Sequence, residues 1–446
     1  MTDMSKKGLK PSQDGPDLAP RAPKSLLDLD TALVELKEFA HPTLPSEEIS
    51  TFDVDNRVLR EPLLSLINVP AHDNSAMDGY AICAEDLGVP EKVLKVTQRI
   101  PAGTHGAPIQ KGEAARIFTG APIPNGACAV VAQEDCTALQ GDFVQINSLV
   151  LKGQSIRRAG EDIAKGVVVI EEGSRLNPAS LGIAASLGYG QLCVSQVPKV
   201  ALFSTGDELV MPGDVAPDQM GMGKIYNSNR FFLKTLLIRA GCSVTDLGNI
   251  ADNFEQTKRS LQLAAQDHDL ILTSGGVSVG EEDHIKPSVM ALGVLHQWAL
   301  NIKPGKPFAY GRINRVAGSF KAQNHGGTRF EHEYAHFMGL PGNPVSSYMT
   351  FVLLVQPFLA YLQGQSLVQY RHVPMRANFE WPKADRRREF LRVRQNEHGS
   401  LDLFTNQSSG VLSSVVWGDG VVDNPPNTSI KRGEWVNFIA FESWLK

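Results

Sequence analysis

The segment Ser274-Gly275-Gly276-Val277-Ser278-Val279-Gly280-Glu281-Glu282-Asp283 gathers more chemistry-bearing residues than any other in this chain. Adjacent glycines let backbone amides approach a ligand, and a helix start just beyond adds partial positive charge. Glu282 and Asp283 set carboxylates beside that amide cradle. Amides and acids together point to an anionic, phosphate-bearing substrate bridged by a divalent cation. Read alone, the segment is equally an ordinary glycine-rich loop between a strand and a helix, because a loop type does not set a function.

The elements around it say more. Leu270-Ile271-Leu272 reads as a buried strand, and Ile285 to Met290 can open a helix. Strand patterns at Lys199–Ser204, Ser243–Leu247 and Val294–Leu300 alternate with helical ones at Asn229–Ala240, Asn253–Gln266 and Ser288–Leu292. Such alternation predicts a parallel α/β sheet. Ligands of an open parallel sheet bind at the carboxyl ends of its strands. Those ends carry Thr205-Gly206-Asp207-Glu208, Asp252, Ser274-Gly275-Gly276 with Asp283, Lys303-Pro304-Gly305-Lys306-Pro307, and Pro341-Gly342-Asn343-Pro344-Val345-Ser346-Ser347. Acids there can hold Mg²⁺, lysines can neutralise oxyanions and glycine amides can cradle phosphate. Any one acid is more often a solvated loop residue or a helix cap. Five coincident clusters argue for a site.

Flanking segments have another character. From Asp73 to about Asp162 short strands (Val93–Val96, Ala115–Phe118, Ala129–Val131, Phe143–Ile146) are separated by Gly, Pro and Asn clusters, which predicts a small β domain. Strand patterns return at Val373–Phe379, Glu389–Arg394, Leu401–Phe404 and Glu434–Phe441. Leu26 to Ala40 has helical spacing, Leu59 to Leu66 is expected to continue that helical part, and Pro178 to Leu187 reads as a short helix. The expected fold class is a multidomain α/β and β protein. Residues 1–24 form a disordered leader, 25–64 with 165–195 a discontinuous linker and dimerisation domain, 65–164 a small β domain, 196–368 the parallel α/β domain, and 369–446 a C-terminal β domain.

Composition narrows the partners. The 446 residues exceed what one core holds. A net charge of −5 gives no support to nucleic-acid binding, so an anion site must be local. Five scattered cysteines without a C-x-x-C pair read as reduced thiols of a cytoplasmic protein. The apolar stretch Tyr348–Leu362 is shorter than the roughly 20 residues of a membrane span.

Asp73-Asn-Ser-Ala-Met-Asp78-Gly-Tyr-Ala81, Thr119-Gly-Ala-Pro122 and Arg158-Ala-Gly-Glu-Asp162-Ile163 are polar loops in or after the first β domain. Each is a structural turn or part of a site completed across a dimer. His332-Glu333-Tyr334-Ala335-His336 matches H-E-x-x-H, which needs a helix to bring both histidines to zinc. Glycines bound the segment closely, so a hairpin extension without zinc is expected.

The motifs Asp73–Ala81, Thr119–Pro122, Gly160–Asp162, Ser274–Gly280 and Lys303–Pro307, together with Ser204-Thr-Gly-Asp-Glu-Leu209 and Leu340-Pro-Gly-Asn-Pro344, occur in one order. From about Leu26 to the C-terminus the chain resembles the molybdopterin molybdenumtransferase family, which includes bacterial MoeA and the gephyrin E domain. The resemblance implies transfer of molybdate into adenylylated molybdopterin with release of AMP, dependent on Mg²⁺ or a similar cation. It implies an elongated homodimer of four-domain subunits whose α/β domain is adenylyltransferase-like and binds molybdopterin. The active site it implies lies between that domain and the partner subunit's small β domain. By motif, the resemblance makes Asp78, Asp162, Glu208, Asp252 and Asp283 the catalytic candidates, with Glu208, Asp252 and Asp283 also the metal candidates. It assigns substrate binding to Thr119, Lys303, Lys306, Pro341, Pro344, Arg387 and Ser409, and the strand-end reading adds Thr205, Ser274, Gly275, Gly276 and Ser346 to that set. Contact with a molybdopterin adenylyltransferase or with apo-molybdoenzymes belongs to the same expectation, and neither nucleic acid nor membrane does. Residues from about Arg315 to His336 look longer than the usual family hairpin. Two alternatives stay open on this fold: an adenylyltransferase-like enzyme, and a gephyrin-like scaffold.

Overall fold

A computed structural model describes residues 26–41, 43–250, 253–277, 284–315, 333–365 and 370–444. The expected leader lies outside them. They form two compact units: residues 47–194, and the segments on either side of them.

Helix α1 (Leu29–Phe39) opens the described chain. The Asp28 carboxylate caps it by accepting from the Asp30 N–H, and Leu29, Ala32, Leu36 and Phe39 make its buried face. That face packs in one core with Phe308, Tyr310 and Phe358. Phe39 stacks on Tyr310 with ring centroids 4.5 Å apart. Here the structure departs from the expected grouping of 25–64 with 165–195. α1 belongs to the outer unit, because its apolar face finds that larger core.

Unit 47–194 holds a six-stranded sheet of β1 (Gly79–Cys83), β2 (Lys92–Ile100), β3 (Glu113–Ile117), β4 (Ala127–Ala132), β5 (Cys136–Leu139) and β6 (Phe143–Ile146), in the order β4-β1-β3-β2-β6-β5. Helix α2 (Pro178–Ser186) starts with proline in its first turn and Asn177 as cap. Leu59–Leu66 is not helical, contrary to expectation. Pro62 lacks the N–H a helix interior needs, and Leu63–Leu64 pairs as a strand with Val168–Ile170. Leu59 and Leu63 then reach the same core as Leu176, Ala184 and Val194.

The outer unit contains β7 (Lys199–Thr205), α3 (Asn229–Arg239), β8 (Ser243–Ile250), α4 (Phe254–Asp267), β9 (Leu270–Ser274), α5 (Ile285–Leu292), β10 (Gly293–Ala299), β11 (Pro307–Asn314) and β12 (Tyr334–Leu340). The sheet order is β8-β7-β9-β12-β11-β10. β7, β8, β9 and β12 are parallel, as expected, whereas β11 runs antiparallel to both neighbours. That reversal sends β10 in the direction of β12, so the loop after β10 opens at the same sheet end as those after β7, β9 and β12. β11 and β12 are the arms of the expected hairpin. His336 lies on the strand β12, where its Nδ1 is 2.9 Å from the Tyr310 hydroxyl. No helix carries the H-E-x-x-H residues that are described, and His332 lies outside them.

Helix α6 (Pro344–Thr350) continues through Leu362 by way of a wide turn at Phe351–Val355. The run Pro344–Leu362 is long and apolar enough to cross a membrane, yet 94% of its most apolar window is buried within the fold. Strands β13 (Val373–Ala377), β14 (Arg388–Gln395), β15 (Ser400–Leu403), β16 (Gly420–Asn424) and β17 (Trp435–Ala440) close into a barrel in the order β14-β15-β13-β17-β16, with β16 pairing back onto β14. All five cysteines are thiols, and burial pushes those of Cys83 and Cys136 up to about 11.

Candidate active site

The strand ends β7, β9 and β12 and the start of α3 enclose a cleft of about 360 Å³. Thr205, Glu208, Tyr226, Asn227, Ser228, Asn229, Ser274, Gly342, Asn343 and Pro344 line it. Glycine is required where these loops turn. Gly275 has φ +94°, and a Cβ there would sit 2.6 Å from Thr205 Oγ1. Gly206 has φ +128°, and a Cβ would meet the Glu208 carboxylate, which folds back over it. Asn229 joins two of the loops. Its Nδ2 donates to Ser274 Oγ at 2.9 Å and to the Gly342 carbonyl at 2.7 Å. Asn227 Oδ1 accepts from the Arg230 N–H at 3.2 Å and so caps the first turn of α3, while the Ser228 side chain makes no such bond.

A second cleft, of about 470 Å³, is lined by Leu26, Lys306, Ala384, Asp385, Arg386, Arg387 and Asn427. Lys306 is exposed there. Arg387 chelates Asp385 with Nε at 3.1 Å and Nη2 at 3.0 Å, and this bond holds the Asp385 carboxyl well below the usual carboxylate range. Lys303 is differently used. Its Nζ lies 3.0 Å from Glu389 and 3.1 Å from Asp385. Burial disfavours the Lys303 ammonium, but those hydrogen bonds outweigh it and raise its pKa.

The start of α6 is held by both neighbours. The Ser409 carbonyl accepts from the Val345 N–H at 2.9 Å. Gly305, at φ +111°, comes so close to Thr350 that a Cβ would lie 2.7 Å from its Oγ1. Pro341 and Ser346 are buried behind the cleft wall.

In unit 47–194 three polar loops meet. Asn74 and Ser75 pair with Arg157 and Ile156, and the Ser75 N–H donates to the Ala121 carbonyl. Asp78 Oδ1 accepts from both Thr119 N–H and Thr119 Oγ1, each at 2.8 Å. Those bonds lower the Asp78 pKa, with Arg116 adding to the effect. Asp73 accepts from the Ala159 N–H and pairs with Arg158. Asp162 is exposed on the same third loop.

The expected site residues thus fall into three groups. Thr205, Glu208, Ser274 and Pro344 share the first cleft, with Gly275 and Gly276 shaping it and Pro341 and Ser346 behind it. Lys306 and Arg387 share the second, with Lys303 bonded to its Asp385, while Ser409 holds the start of α6 beside the first. Asp78 and Thr119 sit on unit 47–194 with Asp162. Asp252 and Asp283 lie outside the described residues. Among the described residues no three His, Cys, Asp or Glu side chains gather as a metal site. The sequence reading missed Asn229 and Arg386. For Asn229 the available signal was the polar run Asn227-Ser228-Asn229 ahead of an apolar helix.

Three family models match the chain: the MoeA N-terminal region (domain I and II) over residues 27–188, a probable molybdopterin binding domain over 201–361, and the MoeA C-terminal region (domain IV) over 374–441. A molybdopterin molybdenumtransferase of Haemophilus influenzae is 39% identical over 436 residues, covering 94% of this chain and 100% of that protein. Molybdopterin molybdenumtransferase 2 of Mycobacterium tuberculosis is 33% identical, covering 82% and 88%. The crystal structure of a molybdopterin biosynthesis MoeA protein from Pyrococcus horikoshii OT3 superposes with a TM-score of 0.75 at 26% identity, covering 94% of this chain and 100% of that one.

Proposed function

The chain belongs to the molybdopterin molybdenumtransferase (MoeA) family, and from that premise we propose how its clefts divide the work of molybdenum insertion. It is a transferase of molybdenum cofactor biosynthesis. We propose that adenylylated molybdopterin binds in the first cleft and molybdate in the second, and that insertion is coupled to hydrolysis of the phosphoanhydride, in which the oxygen of a solvent water bonds to phosphorus and AMP leaves. The observation that carries this reading is the contrast between the two linings. One presents hydroxyls, side-chain amides and the Glu208 carboxylate, and the other presents Lys306, Arg386 and the Arg387–Asp385 pair. Phosphates and a dianion repel each other, and separate polar and cationic linings on one unit offset that cost.

A divalent cation such as Mg²⁺ would be held through the hard carboxylate oxygens of Glu208, which lines the cleft, whereas the other two metal candidates, Asp252 and Asp283, lie outside the described residues. When bound it would screen the phosphate oxygens. Around it Thr205 and Ser274 offer hydroxyls to the substrate, and Gly275 gives the backbone room to approach. Lys303 orients the molybdate loop through Glu389 and Asp385 and leaves Lys306 to face the anion.

The protein is further read as a cytoplasmic homodimer. Leu64, Leu66, Ile67, Val167 and Val168 are exposed apolar side chains clustered around one strand pair of unit 47–194, a patch suited to a second copy. Asp78, Thr119 and Asp162 on that unit would then serve the partner's substrate.

The test is AMP release by the purified full-length chain from adenylylated molybdopterin. Release that rises and saturates with molybdate is expected. Release unaffected by molybdate, or none at all, would overturn the reading.

A further inference from the structure

Asn229 is 7% exposed and lines the first cleft. Its amide orientation is set by its neighbours. The Gly342 carbonyl can only accept, so the group 2.7 Å from it is the Nδ2 donor. Both protons of that nitrogen are used, one on Gly342 and one on Ser274 Oγ. Oδ1 therefore points the other way. It is buried and has no hydrogen-bond partner among the described residues. A buried amide oxygen left unmatched costs free energy, and most such atoms in folded proteins are matched. Ser274 Oγ, having accepted from Asn229, still has its own proton to give. The pair thus offers an acceptor beside a donor in one polar cleft.

We propose that Asn229 binds and positions the substrate, with Oδ1 accepting a hydrogen bond from an N–H or O–H of the ligand. This rests on the reading of the first cleft as the site of adenylylated molybdopterin. Phosphates at neutral pH offer no proton for this bond, so Oδ1 reads the neutral part of the ligand. Three parts carry such donors: the pterin ring, through its amide N–H and exocyclic amine, the adenine, through its exocyclic amine, and the ribose, through its hydroxyls. The same side chain ties the end of β9 to the turn before α6. Reading the ligand and holding the cleft closed are therefore coupled in one residue.

Removing the donor from the ligand and the acceptor from the protein, singly and together, separates ligand reading from structure. The probes are 6-hydroxymethylpterin against its ring N-methyl analogue, AMP against 2′,3′-dideoxy-AMP, and AMP against purine riboside monophosphate, which lacks the adenine amine, each titrated into the full-length chain. Loss of the donor is expected to weaken wild-type binding of one pair about ten-fold, and Asn229→Ala to shrink that penalty to about two-fold or less. Coupling in the pterin pair supports the inference with the ring as donor, coupling in the dideoxy pair supports it with the ribose, and coupling in the purine riboside pair supports it with the adenine. A structural tie alone would lower affinity for all five probes equally, and that result would overturn the inference. Asn229→Ser, which keeps a polar group near Gly342 but falls short of the ligand, answers the same question if the alanine variant does not fold. Molybdate-dependent AMP release by the wild type, run alongside, keeps the two readings apart. Release without coupling removes only the role of Asn229, whereas coupling without release removes only the insertion reaction.

Discussion

Charge and hydrogen bonding at single residues make the sharpest expectations. Asp78 is exposed, and its Oδ1 is held by two donors from Thr119. Asp78→Asn keeps an oxygen for those donors and removes only the charge. Turnover should fall about 100-fold or more while the melting temperature stays put, if this carboxylate assists proton transfer or orientation. AMP release and thermal melting measured side by side check this, and wild-type turnover in the variant would remove Asp78 from the site. Lys303 and Lys306 should separate just as cleanly. Glu389 is 1% exposed, so Lys303→Ala leaves a buried carboxylate short of its partner. Discounted for the part-exposed lysine, the cost is about 1–2 kcal/mol, and melting should drop by a few degrees. Lys306→Ala should leave melting unchanged and raise the half-saturating molybdate concentration about ten-fold. The pH dependence of the Lys303 tie has a definite sign. Asp385 is lowered, so its contribution is present above its unfolded value and lost only as pH falls through the folded one. Lys303 is raised, so its contribution is present below its unfolded value and lost only as pH rises through the folded one. The tie should therefore hold between about pH 4 and about pH 10.

At the scale of elements, the strand-end loops differ in whether they need glycine. Gly305 combines φ +111° with a contact to Thr350 closer than any Cβ allows. Gly342 has ordinary backbone angles and open space where a Cβ would go. Gly305→Ala should lower melting and weaken molybdate dependence, since strain of about 1–3 kcal/mol falls on the loop that carries Lys306. Gly342→Ala should melt like wild type. Equal melting in the two variants would show that the Gly305 loop relaxes freely. The antiparallel strand β11 matters in the same way. Without its reversal, β10 would run against β12 and the Lys303–Pro307 loop would leave the sheet at the opposite end.

For the whole molecule, unit 47–194 has apolar clusters of its own around Val54, Leu94 and Ile117. Expressed alone, this segment should unfold in one cooperative thermal transition. A broad, non-cooperative melt would show that it depends on the rest of the chain. The patch around Leu64 and Val168 should be covered by a second copy. Light scattering at micromolar concentration should give twice the chain mass, and Leu66→Glu with Val168→Glu should reduce that to one. A wild-type monomer would remove both the dimer and the service of Asp78 to a partner's substrate.

Sequence alone determined the elements and the reaction class. Strand and helix periodicity, with Gly, Pro and Asn as punctuation, placed β7, β9, α3, α4 and α2 near their observed bounds, because these signals are local. The order of the motifs identified the family, since each motif sits in a loop whose backbone demands particular residues. The helix expected at Leu59–Leu66 failed where Pro62 and a distant strand outweighed an apolar pattern. The home of α1 was likewise a matter of which core was larger, and nothing inside the helix states that. Only the tertiary structure decided that Lys303 pairs with Glu389 and Asp385 while Lys306 faces open space, although the two lie three residues apart in one motif. Only it showed Asn229 bridging Ser274 and Gly342 with one amide oxygen unmatched. Local sequence sets what a residue can donate or accept, but a partner 45 or 113 residues away is set by how the sheet brings its strand ends together.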